Sequence, residues 1–186
     1  MSVLIDLHGA PGSQNGQDHS GHAGAINWPT PENIAETVTV LGMISERWSN
    51  EPNVWGIELM NEPHWSLSWE TLTEFYRNAY DEIRKYSDSV NIVLCSLYGP
   101  HDWTAGIFPE PQYRNVVLDI HLYTVWSGYT TEQQYYDEAN RWATEIRSLV
   151  PYYPIIVGEM SLATSLNPYT SNARQQFADA EFNSFQ

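Results

Sequence analysis

The stretch Val54–Trp65, VWGIELMNEPHW, decides the fold. Val54, Trp55, Ile57 and Leu59 form a short apolar run, of a length that suits a buried strand better than a helix. The run then breaks into Asn61-Glu62, and Pro63 stops it, because proline has no N–H to give a sheet ladder. Proline also steers the residue before it away from the helical region, so extended geometry is expected at Glu62. A carboxylate is thus expected at the C-terminal end of a strand, with an amide beside it and the indoles of Trp55 and Trp65 near. That placement suits acid–base chemistry on a sugar. A solvated strand-to-loop junction has the same local signature, so the rest of the chain must decide.

Outward from this stretch the pattern repeats. Val3–His8 reads as a strand with His8 at its end. The segment 9–28 is a long Gly-rich loop carrying Pro11, Asn15-Gly16, His19 and His22, and such loops in compact domains are usually functional. Thr30-Pro31 supplies a cap and a first-turn proline for a helix over about Pro31–Ser49, with Ile34, Val38, Leu41, Ile44 and Trp48 as its inner stripe. Ser68 caps a second helix, about Trp69–Tyr86. Asn91–Cys95 is β-branched and apolar, and Ser96–Gln112 is an aromatic, Gly- and Pro-containing loop. Val116–Tyr123 is a strand ending in His121 and Tyr123. Thr131-x-x-Gln134 is a capping box opening a third helix with Tyr135, Ala139, Trp142, Ile146 and Leu149 inward. Ile155–Glu159 is a fifth strand, and Asn172–Phe185 a last helix.

Strands alternating with amphipathic helices imply parallel β/α units. Polar residues recur at the strand ends: His8, Asn61-Glu62, His121 with Tyr123, and Glu159. In a β/α barrel those ends share the face that carries active sites. An open doubly wound sheet is disfavoured, since Gly9-x-x-Gly12 does not make a phosphate-binding loop. The expected class is α/β, a TIM-type (β/α)8 barrel, incomplete.

Composition narrows the function. The 186 residues suffice for one domain but fall short of the roughly 250 typical of an eight-stranded barrel. With 42% hydrophobic and 17% charged residues the chain is globular. A net charge of −15 argues against nucleic acid or an anionic membrane surface as partner. Eight Trp and twelve Tyr exceed what a core of this size needs, and flat indoles stack on sugar rings. The single Cys95 excludes an internal disulfide. Residues 1–10 have no signal-peptide pattern, and no stretch is long enough to span a membrane.

Two glutamates at separate strand ends are the chemical minimum for glycoside hydrolysis: one protonated to serve the leaving oxygen, the other ionised. The chain resembles glycoside hydrolase family 5, nearest to its exo-β-1,3-glucanase branch. The residues that carry the resemblance are Val3–Gly16 (VLIDLHGAPGSQNG), Trp55–Pro63 (WGIELMNEP), Asp119–Tyr123 (DIHLY) and Ile156–Ser161 (IVGEMS). It implies a retaining hydrolase of β-glucans working by double displacement, with Glu62 as acid/base and Glu159 as nucleophile. Asn61 would hold the 2-hydroxyl, His8 and His121 would donate hydrogen bonds to substrate and carboxylates, and Tyr123 would bond the nucleophile. Trp126 stands where an aromatic of the substrate entrance is expected, whereas Gln17 replaces its usual Phe partner. Cys95-Ser96 replaces a usual His-Asp. No metal or other cofactor is implied. The strands correspond to the third through seventh of the barrel, so residues 1–186 are expected to be a partial catalytic barrel without the first two strands and the eighth. The parent is expected to be secreted or cell-wall associated. Other family 5 specificities, an endo-β-1,4-glucanase or a β-glucosidase, and a non-catalytic carbohydrate-binding fragment are the alternatives.

Several features have plainer readings. His19-x-x-His22 has loose spacing for a metal pair, and polar loop histidines are the simpler reading. His101-Asp102 is expected to be a loop hydrogen-bond pair and Cys95 a packing residue at a strand end. Trp48 and Trp142 lie on helix stripes and are expected in the core. Trp65, Trp103 and Trp126, in loops after strands, are the candidate sugar platforms.

Overall fold

A computed structural model describes residues 1–96, 103 and 106–184. His101-Asp102 lies outside them. Five parallel-type strands follow chain order across the sheet, β1-β2-β3-β4-β5, with helices between them. The chain divides into two compact units: residues 1–96 with 107–119, and Trp103, Gly106 and 120–184.

The first unit contains β1 (Val3–Asp6), α1 (Pro31–Trp48), β2 (Val54–Glu58), α2 (Trp69–Ile83), β3 (Asn91–Cys95) and the beginning of β4 (Val116–Tyr123). β1 pairs parallel with β2, placing Leu4 against Gly56 and Asp6 against Glu58. Ile57 then faces Ile92, and Val93 faces Val117. Thr30 accepts the Asn33 N–H at the start of α1, and Ser68 accepts the Thr71 N–H at the start of α2. The core is built from Ile57, Leu59, Leu72, Phe75, Tyr76, Ile83 and Ile92, all fully buried. Trp28 joins it edge-on to Phe75 at 5.0 Å, its Nε1–H donating to Thr37 Oγ1 at 3.0 Å.

The buried face of α1 runs through Thr37, Leu41, Gly42 and Ser45 rather than along the full predicted stripe. Small residues win there because α2 comes close. A Cβ on Gly42 would stand 2.9 Å from the Glu82 side chain, and Ser45 Oγ donates to the Ile83 carbonyl at 3.3 Å. Trp48, one turn further on, stays 42% exposed under the Arg47 guanidinium, which corrects its assignment to the core. Trp55 is likewise exposed at the N-terminal end of β2, away from the Asn-Glu pair.

The second unit contains the C-terminal half of β4, α3 (Glu132–Leu149), β5 (Ile155–Ser161) and α4 (Ser171–Ser184). Ile120, Leu122 and Trp142 form one apolar cluster with Ile146, Ile155 and Val157. Tyr135, Ala139 and Phe177 form a second. The predicted capping box closes both ways: Thr131 accepts the Gln134 N–H, and the Gln134 side chain accepts the Thr131 N–H. Trp103 is fully buried and packs edge-on to Tyr153 at 6.3 Å, so it is a core residue and not a sugar platform.

Candidate active site

In the first unit the parallel ladder continues past the strand ends. The Leu7 N–H donates to the Glu58 carbonyl, the Leu59 N–H to the Val93 carbonyl, and the Asn61 N–H to the Leu7 carbonyl. This extension sets His8 beside Asn61. Period-two alternation puts Asp6 and His8 on one face, and His8 Nδ1 lies 2.6 Å from Asp6 Oδ2. With Nδ1–H directed at that carboxylate, Nε2 is left to accept from Asn61 Nδ2 at 3.4 Å. His8 thus orients the amide predicted to hold a sugar hydroxyl, and Asp6 orients His8.

The loop 9–28 is fastened to this strand end by a side chain that sequence reasoning passed over. Gln14 is completely buried. Its Nε2 donates to the carbonyls of His8 and Asn61, at 3.0 and 2.8 Å, and its Oε1 accepts the Ala10 N–H. Its own carbonyl accepts the His64 N–H. Asn15 Nδ2 donates to the Glu62 carbonyl at 3.0 Å. The two buried amides of this junction are therefore paired across two loops, as buried polar groups must be.

Glu62 does not adopt the extended backbone expected before proline. Its φ is 43°, in the left-handed region that few non-glycine residues occupy. The flanking main chain is held on both sides, by Asn15 at the Glu62 carbonyl and by Gln14 at His64, and these bonds secure the turn. Strain retained in this way is characteristic of functional positions. Trp65 follows, 74% exposed, its ring tilted on His64 at 4.9 Å. Cys95 is buried as expected; burial foremost, then the nearby Glu58 carboxylate, pushes its thiol well above the usual range.

In the second unit, Tyr123 at the end of β4 donates its hydroxyl to Glu159 Oε2 on β5 at 2.8 Å. His121, two residues earlier on β4 with its side chain only 3% exposed, places Nδ1 3.6 Å from the same oxygen, too long for a hydrogen bond. Trp126, 80% exposed, tilts against Tyr123 at 5.6 Å. The predicted residues therefore gather as two sets. His8, Asn61 and Glu62 cluster in the first unit, and His121, Tyr123, Trp126 and Glu159 in the second.

The cellulase (glycosyl hydrolase family 5) family model matches residues 1–184. A glucan 1,3-beta-glucosidase of Blumeria graminis is 34% identical over 129 residues, covering 68% of this chain and 30% of that protein. A glucan 1,3-beta-glucosidase of Schwanniomyces occidentalis is 33% identical over 170 residues, 88% of this chain and 40% of that protein. The chain thus spans about a third of the length of the curated relatives it matches. Among solved structures, endo-glycoceramidase II from a Rhodococcus species superposes with a TM-score of 0.68 at 16% identity, over 98% of this chain and 54% of that one. The catalytic domain of Thermobifida fusca endoglucanase Cel5A gives 0.59 at 19% identity, over 83% and 48%. These likenesses show a TIM-type barrel fold.

Proposed function

Because the chain belongs to the cellulase family, glycosyl hydrolase family 5, we propose that it hydrolyses the glycosidic bonds of β-glucans with retention, as a glucan exo-1,3-β-glucosidase does. The observation that carries the reading is the Tyr123 hydroxyl on Glu159 at 2.8 Å. It holds one carboxylate oxygen and leaves the other to attack.

In this reading Glu159 attacks the anomeric carbon as Glu62 gives its proton to the departing glycosidic oxygen. The C–O bond breaks, and an ester forms between the sugar and Glu159. Glu62, now a carboxylate, takes a proton from water, whose oxygen attacks the same carbon, releases Glu159 and restores the acid. Asn61 bonds the 2-hydroxyl, a contact that strengthens in the transition state. His8 keeps Asn61 oriented, His121 supports the nucleophile side, and Trp126 stacks on a sugar face. Among the described residues no helix is long and apolar enough to cross a membrane. A polymeric glucan substrate favours a secreted or wall-associated place of action for the parent protein.

The test is laminarin hydrolysis, with the anomer of the first product followed by proton NMR. Release of β-glucose, abolished by Glu159→Gln, is expected. Release of α-glucose, or cleavage that survives Glu159→Gln, would overturn the reading. Folded protein that binds laminarin without cleaving it would favour a carbohydrate-binding role.

A further inference from the structure

We propose that His19 is the positioning residue of Glu62: its Nε2–H engages one carboxyl oxygen and so assigns the proton that is delivered to the other. This rests on the reading of Glu62 as the acid. His19 Nε2 lies 3.4 Å from Glu62 Oε2, with the His19 side chain 36% exposed and that of Glu62 23%. The separation exceeds a settled hydrogen bond, and catalytic contacts of this kind tighten when substrate fills the site.

The loop is built to present this imidazole. Asp18–Ser20 form a single 3-10 turn, in which the Ser20 N–H donates to the Gln17 carbonyl and the Gly21 N–H to the Asp18 carbonyl. Gly21 terminates the turn at φ 83°. Buried Ser13 and Ser20 pair their hydroxyls at 2.6 Å, anchoring the turn to the loop's first arm. Gly9 allows the approach, since a Cβ there would lie 2.6 Å from the Ser20 carbonyl oxygen. The His19 ring packs edge-on to His8 at 5.5 Å, which fixes its plane. Asp6, His8 and His19 thus form one row, in which the middle residue, His8, serves Asn61 and the last, His19, serves Glu62.

The chemical consequence concerns the two oxygens of Glu62. A carboxylic acid has one proton and two sites for it, and a proton on the oxygen turned from the leaving group is wasted. An N–H directed at Oε2 occupies that oxygen as an acceptor and leaves the proton on Oε1. After proton transfer, the same N–H stabilises the carboxylate that must accept a proton from water. No step passes through His19; it acts through Glu62.

The experiment compares two substrates differing in their need for acid. Laminaribiose leaves as an alcohol and requires the proton, whereas 2,4-dinitrophenyl β-glucoside leaves as a stable phenolate and does not. We expect His19→Ala to lower kcat/KM on laminaribiose by about 10- to 100-fold. On the dinitrophenyl glucoside it should change by no more than about threefold. His19→Gln, which keeps an N–H donor, should recover most of the laminaribiose activity and also serves if the alanine variant fails to fold. Equal losses on both substrates would reduce His19 to a structural residue and overturn the inference. So would undiminished laminaribiose cleavage by the alanine variant. If the unaltered protein cleaves neither substrate, the hydrolase reading itself falls, and this inference with it.

Discussion

The Tyr123 hydroxyl donates to the Glu159 carboxylate at 2.8 Å, a charge-assisted contact of good length. Hydrogen bonds to a charged group contribute roughly 1.5–3 kcal/mol. Tyr123→Phe is therefore expected to lower kcat/KM on laminarin by about 10- to 100-fold while leaving the melting temperature nearly unchanged. Equal losses of activity and stability would show the hydroxyl to be structural. Residue identities at the strand ends were legible in the sequence, because a polar residue that closes an apolar run stands out against the strand it ends. Their partners were less so. Asp6 could have been paired with His8 from strand alternation alone. The roles of Gln14, Asn15 and His19 arise from contacts across 40 or more residues or between loop arms, which no local pattern encodes. The backbone of Glu62 departs from its pre-proline preference because two tertiary hydrogen bonds flank it, and tertiary contacts override such preferences.

At the scale of elements, the strands and caps were read closely. β3 and β4 begin and end where the apolar runs do, and the capping box at Thr131 forms as written. Helix faces were read less well: the α1 stripe admits Trp48 on periodicity, but the approach of α2 rewards small residues and leaves the indole outside. α4 holds a feature with a measurable signature. Glu181 is fully buried, and neither carboxylate oxygen has a hydrogen-bond partner among the described residues. Burial pushes its carboxyl up from 4.5 to about 7. An acid whose folded value is raised is best tolerated protonated. Its favourable state is fully present below the unfolded value near 4.5 and is lost as pH rises through about 7. Glu181→Gln should therefore match the unaltered protein in urea denaturation near pH 4. It should exceed it by on the order of 3 kcal/mol near pH 8. A difference independent of pH would assign the effect to packing instead.

For the whole molecule, charge makes the sharpest prediction. The net charge of −15 gives the proposed binding of a neutral glucan nothing to gain from counterion release. Laminarin affinity should change by less than about twofold between 50 and 500 mM salt, whereas a ligand held by charge would weaken by orders of magnitude. A steep salt dependence in calorimetric titration would show that charged groups of the protein govern laminarin binding and would overturn this expectation. Fold class was legible from strand–helix alternation and the missing phosphate loop. The family followed from a few short motifs, and the match over residues 1–184 bears that out.

The buried Gln14 has a further consequence, for how such a scaffold diversifies. Because one amide clasps the start of the loop to the end of β2, length changes between Gly9 and Ser20 would pull on the Asn61-Glu62 main chain. Beyond the clasp, residues 21–25 are all exposed. Insertions and grafts are expected to be tolerated best at that tip, where the exposed residues take no part in the clasp on the Asn61-Glu62 main chain. New substrate preferences in this lineage are therefore expected to be written there, as loop exchanges, rather than in the anchored arm.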